Sequence, residues 1–186
     1  MEIEIKVPVR DERGTERKLK KLRARLIKIE NQTDTYYSAP DRDFARTDEA
    51  LRIRCAGRRK TLAYKGPKID TRSKSREEVE TEVEDAEKVA KILNFLGYKK
   101  VATVRKRRKI YRLSRPSHFT ISLDRVQKLG SFLEVESVGS ERDLPRLRNG
   151  AFELIEKIGV KRTECIRESY LEMMLKGDDR SRRQGG

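Results

Sequence analysis

Seven stretches of this chain carry charged side chains at alternate positions with apolar ones between them, a pattern blurred at 104–111 by Arg105, Arg107 and Lys109. Side chains two apart in a β-strand share a face, so each stretch predicts a strand with one apolar and one charged side. Residues 2–7 set Glu2, Glu4 and Lys6 against Ile3, Ile5 and Val7. Residues 50–55 set Arg52 and Arg54 against Leu51, Ile53 and Cys55, and 61–65 set Lys65 against Leu62 and Tyr64. Residues 76–83 set Arg76, Glu78, Glu80 and Glu82 against Val79 and Val83. Lys106 and Arg108 share a face in 104–111, Asp124 opposes Ile121 and Leu123, and Glu134 and Glu136 oppose Leu133 and Val135. A chain built this way must cover one sheet face with something apolar and give the other face water or a ligand.

The covering elements are helical segments. Leu19, Leu22, Leu26 and Ile29 fall at helical spacing over 13–29. Residues 85–98 form the clearest helix, with Asp85 as cap, a stripe of Ala86, Val89, Ala90, Leu93 and Leu96, and Gly97 as stop. A further helix is predicted over 143–159, ended by Gly159, and a last one over 164–175 carrying Tyr170, Met173 and Met174. Strands are predicted at 2–9, 32–38, 49–56, 60–67, 75–83, 101–113, 119–126 and 131–138, with polar loops at 40–48 and 68–74. Several connections are too short for a parallel crossover, which points to an antiparallel sheet with helices outside, an α+β class. The length of 186 residues suits a single domain, taken as 1–176, followed by a disordered basic tail at 177–186.

Two arrangements satisfy the alternation. An open sheet would pack its apolar face on helices and show its charges to solvent. A closed barrel would turn the charges into a hydrated tunnel. Periodicity alone favours the open sheet. Two details favour the tunnel: the polar faces use Glu, Arg and Lys with few Ser, Thr or Gln, and like charges cluster by strand. Such clusters help no fold, but carboxylates in a group suit Mg²⁺ or Mn²⁺ and arginines suit phosphate oxygens.

The motifs also occur in a recognisable order. EIEIK at 2–6 resembles the ExExK signature of the CYTH domain, or triphosphate tunnel metalloenzyme, family. TDTYY (33–37), LRIR (51–54) with LAYKGP (62–67), SREEVE (75–80), KRRKIY (106–111), LDRVQKLGSFLEVE (123–136) and SYLEMM (169–174) are similar to that family's later motifs. The resemblance spans nearly the whole chain and implies a closed eight-stranded antiparallel barrel flanked by helices. It implies action on triphosphates with Mg²⁺ or Mn²⁺, as in class IV adenylyl cyclase, thiamine triphosphatase and tripolyphosphatase. Carried over, Glu2, Glu4, Glu134 and Glu136 bind metal, and Arg52, Arg54, Lys65, Arg76, Lys106 and Arg108 grip the triphosphate. The catalytic set the resemblance implies is Lys6, which contacts phosphate or orients the attacking group, with Glu78, Glu80 and Asp124 at the remaining carboxylate positions. The sequence departs from many family members at Ser38, where they carry Asp, and RKRRK (105–109) has extra bases of unassigned direction.

A net charge of +15 attracts polyanions generally. Nucleic acid is not expected as the main partner, because the bases interleave with acids and no RNA-binding signature is present. Cys55 and Cys165 match no zinc or redox spacing and are expected as small, partly buried thiols. No apolar run approaches a membrane span and residue 2 is already charged, so a cytoplasmic protein without a membrane partner is expected. The expected partner is a triphosphate such as ATP, tripolyphosphate or thiamine triphosphate, with pairing into a homodimer left open.

Overall fold

The computed structural model describes residues 2–67, 77–113 and 118–184. Its elements run β1 (Glu2–Val9), α1 (Glu12–Lys21), β2 (Arg25–Ser38), α2 (Phe44–Thr47), β3 (Ala50–Ala56), β4 (Arg59–Lys65) and β5 (Glu78–Glu82). They continue with α3 (Ala86–Phe95), β6 (Lys99–Arg112), β7 (Thr120–Val126), β8 (Gly130–Val138), α4 (Leu144–Lys157) and α5 (Tyr170–Gln184). The eight strands form one sheet in the order β1-β8-β7-β6-β2-β3-β4-β5. The α+β class and antiparallel pairing agree with expectation. Hydrogen bonding ends at β1 and at β5, and among the described residues no ladder joins those two strands, so the expected closure of the barrel is not made by hydrogen bonds. β5 is a short terminal strand whose five residues are all exposed, Val79 included at 57%. Its alternation is therefore visible in the sequence without a buried apolar face behind it.

The chain packs as two compact units. The first comprises residues 1–30 and 106–168. Its apolar face carries Ile5 and Val7 of β1, Ile121 and Leu123 of β7, and Leu133 and Val135 of β8, all buried. Leu19 of α1, Ala151, Leu154 and Ile155 of α4, and its C-cap Ile158 cover that face. α1 starts where Asp11 accepts a hydrogen bond from the Gly14 N–H at 2.9 Å, a cap that a Cβ on residue 14 would strike. It ends at Lys21, not at 29. Leu22 caps it, Arg23 turns left-handed at φ 59°, and Arg25 already begins β2. Leu26 and Ile29 kept the helical spacing by coincidence, since both are exposed strand residues at 48% and 46%. The Lys18 ammonium donates to the Ile158 carbonyl at 2.7 Å and ties α1 to the end of α4, where Gly159 takes the positive φ that stops the helix.

The second unit comprises residues 31–105 and 169–186. Tyr37, Leu51 and Ile53 pack with Phe44 of α2 and Leu93 of α3, supported by Ala86, Val89 and Ala90. Asp85 caps α3 as expected, accepting from the Glu87 and Lys88 amides. Leu96, read as part of the stripe, is the C-cap and is 62% exposed, because the helix turns away one residue before Gly97. A carboxylate fastens the 41–49 segment to the sheet. Glu49 accepts from Arg42 Nε and Nη2, each at 2.9 Å, and from the Tyr64 and Thr47 hydroxyls. The Arg42 guanidinium holds this carboxyl down at about 2, against an ordinary 4.5.

Two outcomes test this packing. Leu133→Ala should cost about 2–5 kcal/mol and lower the thermal midpoint by roughly 5–15 °C in calorimetry. The Glu49 contribution belongs to a carboxyl depressed on folding, so it is complete above the unfolded value and is lost as pH falls through about 2. The midpoint gap between the wild type and Glu49→Gln should be flat near neutral pH and close progressively below about pH 4.5.

Candidate functional site

The charged face of the first unit is assembled by register. Lys6 lies directly across from Glu134, Glu4 across from Glu136, and Arg108 across from Asp124. Strand pleating places all of them on the side away from the α1–α4 core. Arg108 is the hub. Its Nε and Nη2 donate to the two Asp124 oxygens at 2.8 and 2.6 Å, Nη2 also meets Glu134, and Nη1 lies 3.6 Å from Glu136. Burial alone would lower the Arg108 value. The Asp124 hydrogen bond and the charges of Asp124, Glu134 and Glu136 instead raise it well above the ordinary one. Lys6 lies 3.3 Å from Glu134 and 3.5 Å from Glu4, and it donates to the Glu168 carbonyl at 3.1 Å. Lys106 lies 3.5 Å from Asp124. Asp124 is 0% exposed, with Phe132 opposite it in register and Val126 two residues on, both buried.

The charged face of the second unit repeats the device. Arg54 forks onto Asp34 at 2.6 and 2.7 Å, and Arg52 lies 3.9 Å from Asp34 and 3.7 Å from Glu80. Lys65 donates to Glu78 at 2.6 Å, its partner in register. Glu82 shares this face, but its partner is the exposed Arg59 at 2.7 Å. Two residues of the TDTYY motif join this face, Asp34, which the sequence assigns no role, and Tyr36, which is expected with Tyr37 as sheet packing. Asp34 is 2% exposed and orders the arginine pair. Tyr36 lies across from Arg52, and its phenol is pushed up by burial and then by the charge of Asp34. Alternation with Tyr37, which packs in the core, fixes the face of Asp34 and Tyr36 but not the partner of either.

The structure thus brings Glu4, Lys6, Lys106, Arg108, Asp124, Glu134 and Glu136 together in one unit, and Arg52, Arg54, Lys65, Glu78 and Glu80 in the other. Glu2 sits on β1 across from Val138, and its side chain lies outside the described residues, as does all of Arg76. The extra bases of RKRRK divide by parity. Lys109 leaves the charged face and pairs with Glu16 of α1, while Arg105 and Arg107 are exposed. For a metal, the first unit offers oxygen donors only. Glu4 and Glu136 face each other as like charges, which repel unless a cation lies between them. Such donors suit Mg²⁺ or Mn²⁺. Among the described residues no three acidic, His or Cys side chains are already gathered tightly enough to hold an ion.

The burial gradient yields a stability test. Asp124→Asn should destabilise by about 3–5 kcal/mol, because it strips counter-charge from a buried guanidinium. Glu136→Gln, half-buried and 3.6 Å from Arg108, should cost under about 1 kcal/mol. Urea titration of both variants measures the contrast, and equal losses would reject Arg108 and Asp124 as the centre.

A family model described as the CYTH domain matches residues 1–170. A candidate adenylate cyclase of Methanocaldococcus jannaschii is 41% identical over 174 residues, covering 93% of this chain and 98% of that one. The adenylate cyclase CyaB of Aeromonas hydrophila is 29% identical over 148 residues, covering 78% and 73%. A solved Pyrococcus horikoshii protein superposes with a TM-score of 0.83 at 36% identity, covering 95% of this chain and 99% of its own. A Hippeastrum protein, a candidate adenylyl cyclase described as having a dominant triphosphatase activity, shares the fold at a TM-score of 0.57 and 21% identity, covering 84% and 88%. No helix among the described residues is long and apolar enough to cross a membrane. With the family model matching residues 1–170, this chain belongs to the CYTH domain family.

Proposed function

We propose that this protein is a metal-dependent enzyme acting on triphosphates, and that its reaction is that of a class IV adenylyl cyclase, ATP to cyclic AMP and pyrophosphate. The names of two relatives support the cyclase reading. The observation that carries it is the pairing on the charged faces. Lys6, Lys106 and Arg108 lie against Glu4, Asp124, Glu134 and Glu136, and Arg52, Arg54 and Lys65 against Asp34, Glu78 and Glu80. A polyanion that took the cations alone would strip the acids of their partners. A polyanion that arrives with a divalent cation exchanges every pair, phosphate oxygens for carboxylates on the Arg and Lys side and metal for Arg and Lys on the Glu side. A plain anion trap would not need the acids. A tunnel enclosed by a barrel, single-domain organisation and a cytoplasmic setting belong to this proposal.

In the cyclase reaction the ribose 3′-oxygen attacks the α-phosphorus, the bond from that phosphorus to the bridging oxygen breaks, and the hydroxyl proton passes to a base. The residues that would hold the metal are Glu4, Glu134 and Glu136, with Glu2. When bound, the ion neutralises phosphate charge and acidifies the attacking hydroxyl. Arg52, Arg54, Lys65, Lys106, Arg108 and, from the resemblance, Arg76 hold the phosphate chain extended and stabilise the charge that grows on the leaving pyrophosphate. Lys6, adjacent to Glu4 and Glu134, orients the phosphate beside the attacking oxygen. Glu78 and Glu80 keep Lys65 and Arg52 aimed. Asp124, fully enclosed, is a positioning residue for Arg108 and Lys106. Hydrolysis of a terminal phosphate is the second reading, favoured by the Hippeastrum protein's described activity on the same fold.

Incubation with ATP, tripolyphosphate and thiamine triphosphate under Mg²⁺ and Mn²⁺, with products identified, decides between them. Cyclic AMP with pyrophosphate supports the cyclase, orthophosphate supports the hydrolase, and no consumption of any substrate rejects both. Glu4→Gln should depress turnover and raise the metal requirement. Arg54→Ala should lower kcat/KM by about 10²–10³.

A further inference from the structure

The surplus charge of this protein does not reside on the faces just described. In the first unit, three of the named site cations meet four carboxylates. In the second, three meet three. Two segments carry most of the surplus outside those faces. Residues 13–28 hold eight Lys and Arg against one Glu, and residues 99–112 hold, besides the site cations Lys106 and Arg108, six against none. Within the first segment, α1 sorts its charges by face. Thr15 and Leu19 are buried, and both acids of the helix turn toward the sheet, Glu12 onto Arg125 at 2.7 Å and Glu16 onto Lys109. The outward face, at i, i+4, i+7 and i+8, carries Arg13, Arg17, Lys20 and Lys21, all exposed. Among the described residues no carboxylate lies within ion-pair distance of Arg13, Lys20 or Lys21, and Arg17 has only the exposed Asp11 at 3.8 Å.

Helix stability does not explain this stripe. Cations in the last turn complement the macrodipole, but Arg13 stands in the first turn, where the dipole disfavours it. We propose that the outward face of α1 is a docking surface for the phosphate backbone of nucleic acid, separate from the triphosphate chemistry. The stripe is convex and runs about 12 Å along the helix, so it fits a linear polyanion and offers no concave seat to a small anion. Duplex DNA carries about one charge per 1.7 Å of axis and matches such a row. A lipid surface fits less well, because the apolar side chains of α1 are committed to the core and none faces outward to enter a bilayer. The face presents a row of charge and no Asn, Gln or acid to pair with base edges, and the proposed contact is to the backbone, independent of sequence.

Fluorescence anisotropy with a labelled short DNA duplex lacking terminal phosphates tests the surface on the full chain. Four phosphate contacts give a slope of about −3.6 in log affinity against log salt, roughly a 150-fold loss between ~50 and ~200 mM. The combined Arg13→Gln, Arg17→Gln, Lys20→Gln, Lys21→Gln variant should flatten that slope and weaken binding at least about tenfold at ~50 mM salt. Its circular dichroism and its triphosphate consumption should match the wild type. Arg13→Lys with Arg17→Lys, which keeps the charge, should retain binding. The surface is overturned if the duplex does not bind at low salt, if the Gln variant binds like the wild type, or if tripolyphosphate displaces the duplex. Preferential capture by phosphatidylcholine–phosphatidylserine vesicles over the duplex would also overturn it.

Discussion

Arg108 shared among Asp124, Glu134 and Glu136 is the interaction on which the first unit's charged face depends. Removing a guanidinium and two carboxylates from water costs several kcal/mol per ion. Their mutual attraction offsets that cost only when geometry and partner number are favourable, and here the fork onto Asp124 and the added contact to Glu134 supply both. An apolar cluster of the same volume would be at least as stable. A row of fixed, alternating charge offers something a hydrocarbon face cannot: donors and acceptors already aimed before any ligand arrives. The surrounding residues serve that end. Phe132 and Val126 exclude water beside Asp124, and the apolar side of the same strands anchors the row to α1 and α4.

The alternation that determines which way each charge points was legible in the sequence, because period two is a property of the strand itself. Glu4 with Lys6, Arg52 with Arg54, and Glu134 with Glu136 fall on the faces their spacing assigns. The α1 boundary was not legible. Leu26 and Ile29 kept a helical interval after Leu19 and Leu22, and only the left-handed Arg23 breaks it. Arginine carries no local signature for a positive φ, unlike the glycines that end α3 and α4. Asp34 escaped notice for a different reason. Its role is defined by Arg54, twenty residues away and across the β2–β3 ladder, and no local pattern encodes that pairing.

The run RKRRK shows how folding separates charges that the sequence interleaves. Five bases in a row look like one positive block. On a strand they part by parity: Lys106 and Arg108 join the carboxylates of β7 and β8, and Lys109 reaches Glu16 on the other side. The same sorting on α1 turns Glu12 and Glu16 inward and leaves bases outside. A mixed-charge sequence thereby becomes near-neutral charged faces beside a positive exterior.

That separation bears on how a triphosphate would arrive and how it would be held. Long-range attraction follows net charge, so a +15 exterior raises the encounter rate for any polyanion and does so less as salt rises. Short-range binding follows the local balance, and there the cations already have carboxylate partners. A simple anion drawn in by the field therefore gains little on reaching Arg108 or Arg54, since it must displace Glu134 or Asp34 to bind them. A ligand that brings a divalent cation with it restores the displaced carboxylates to a partner. Discrimination between a metal–triphosphate complex and the orthophosphate, chloride and other anions concentrated around the same basic surface then follows from the acids, not from the arginines.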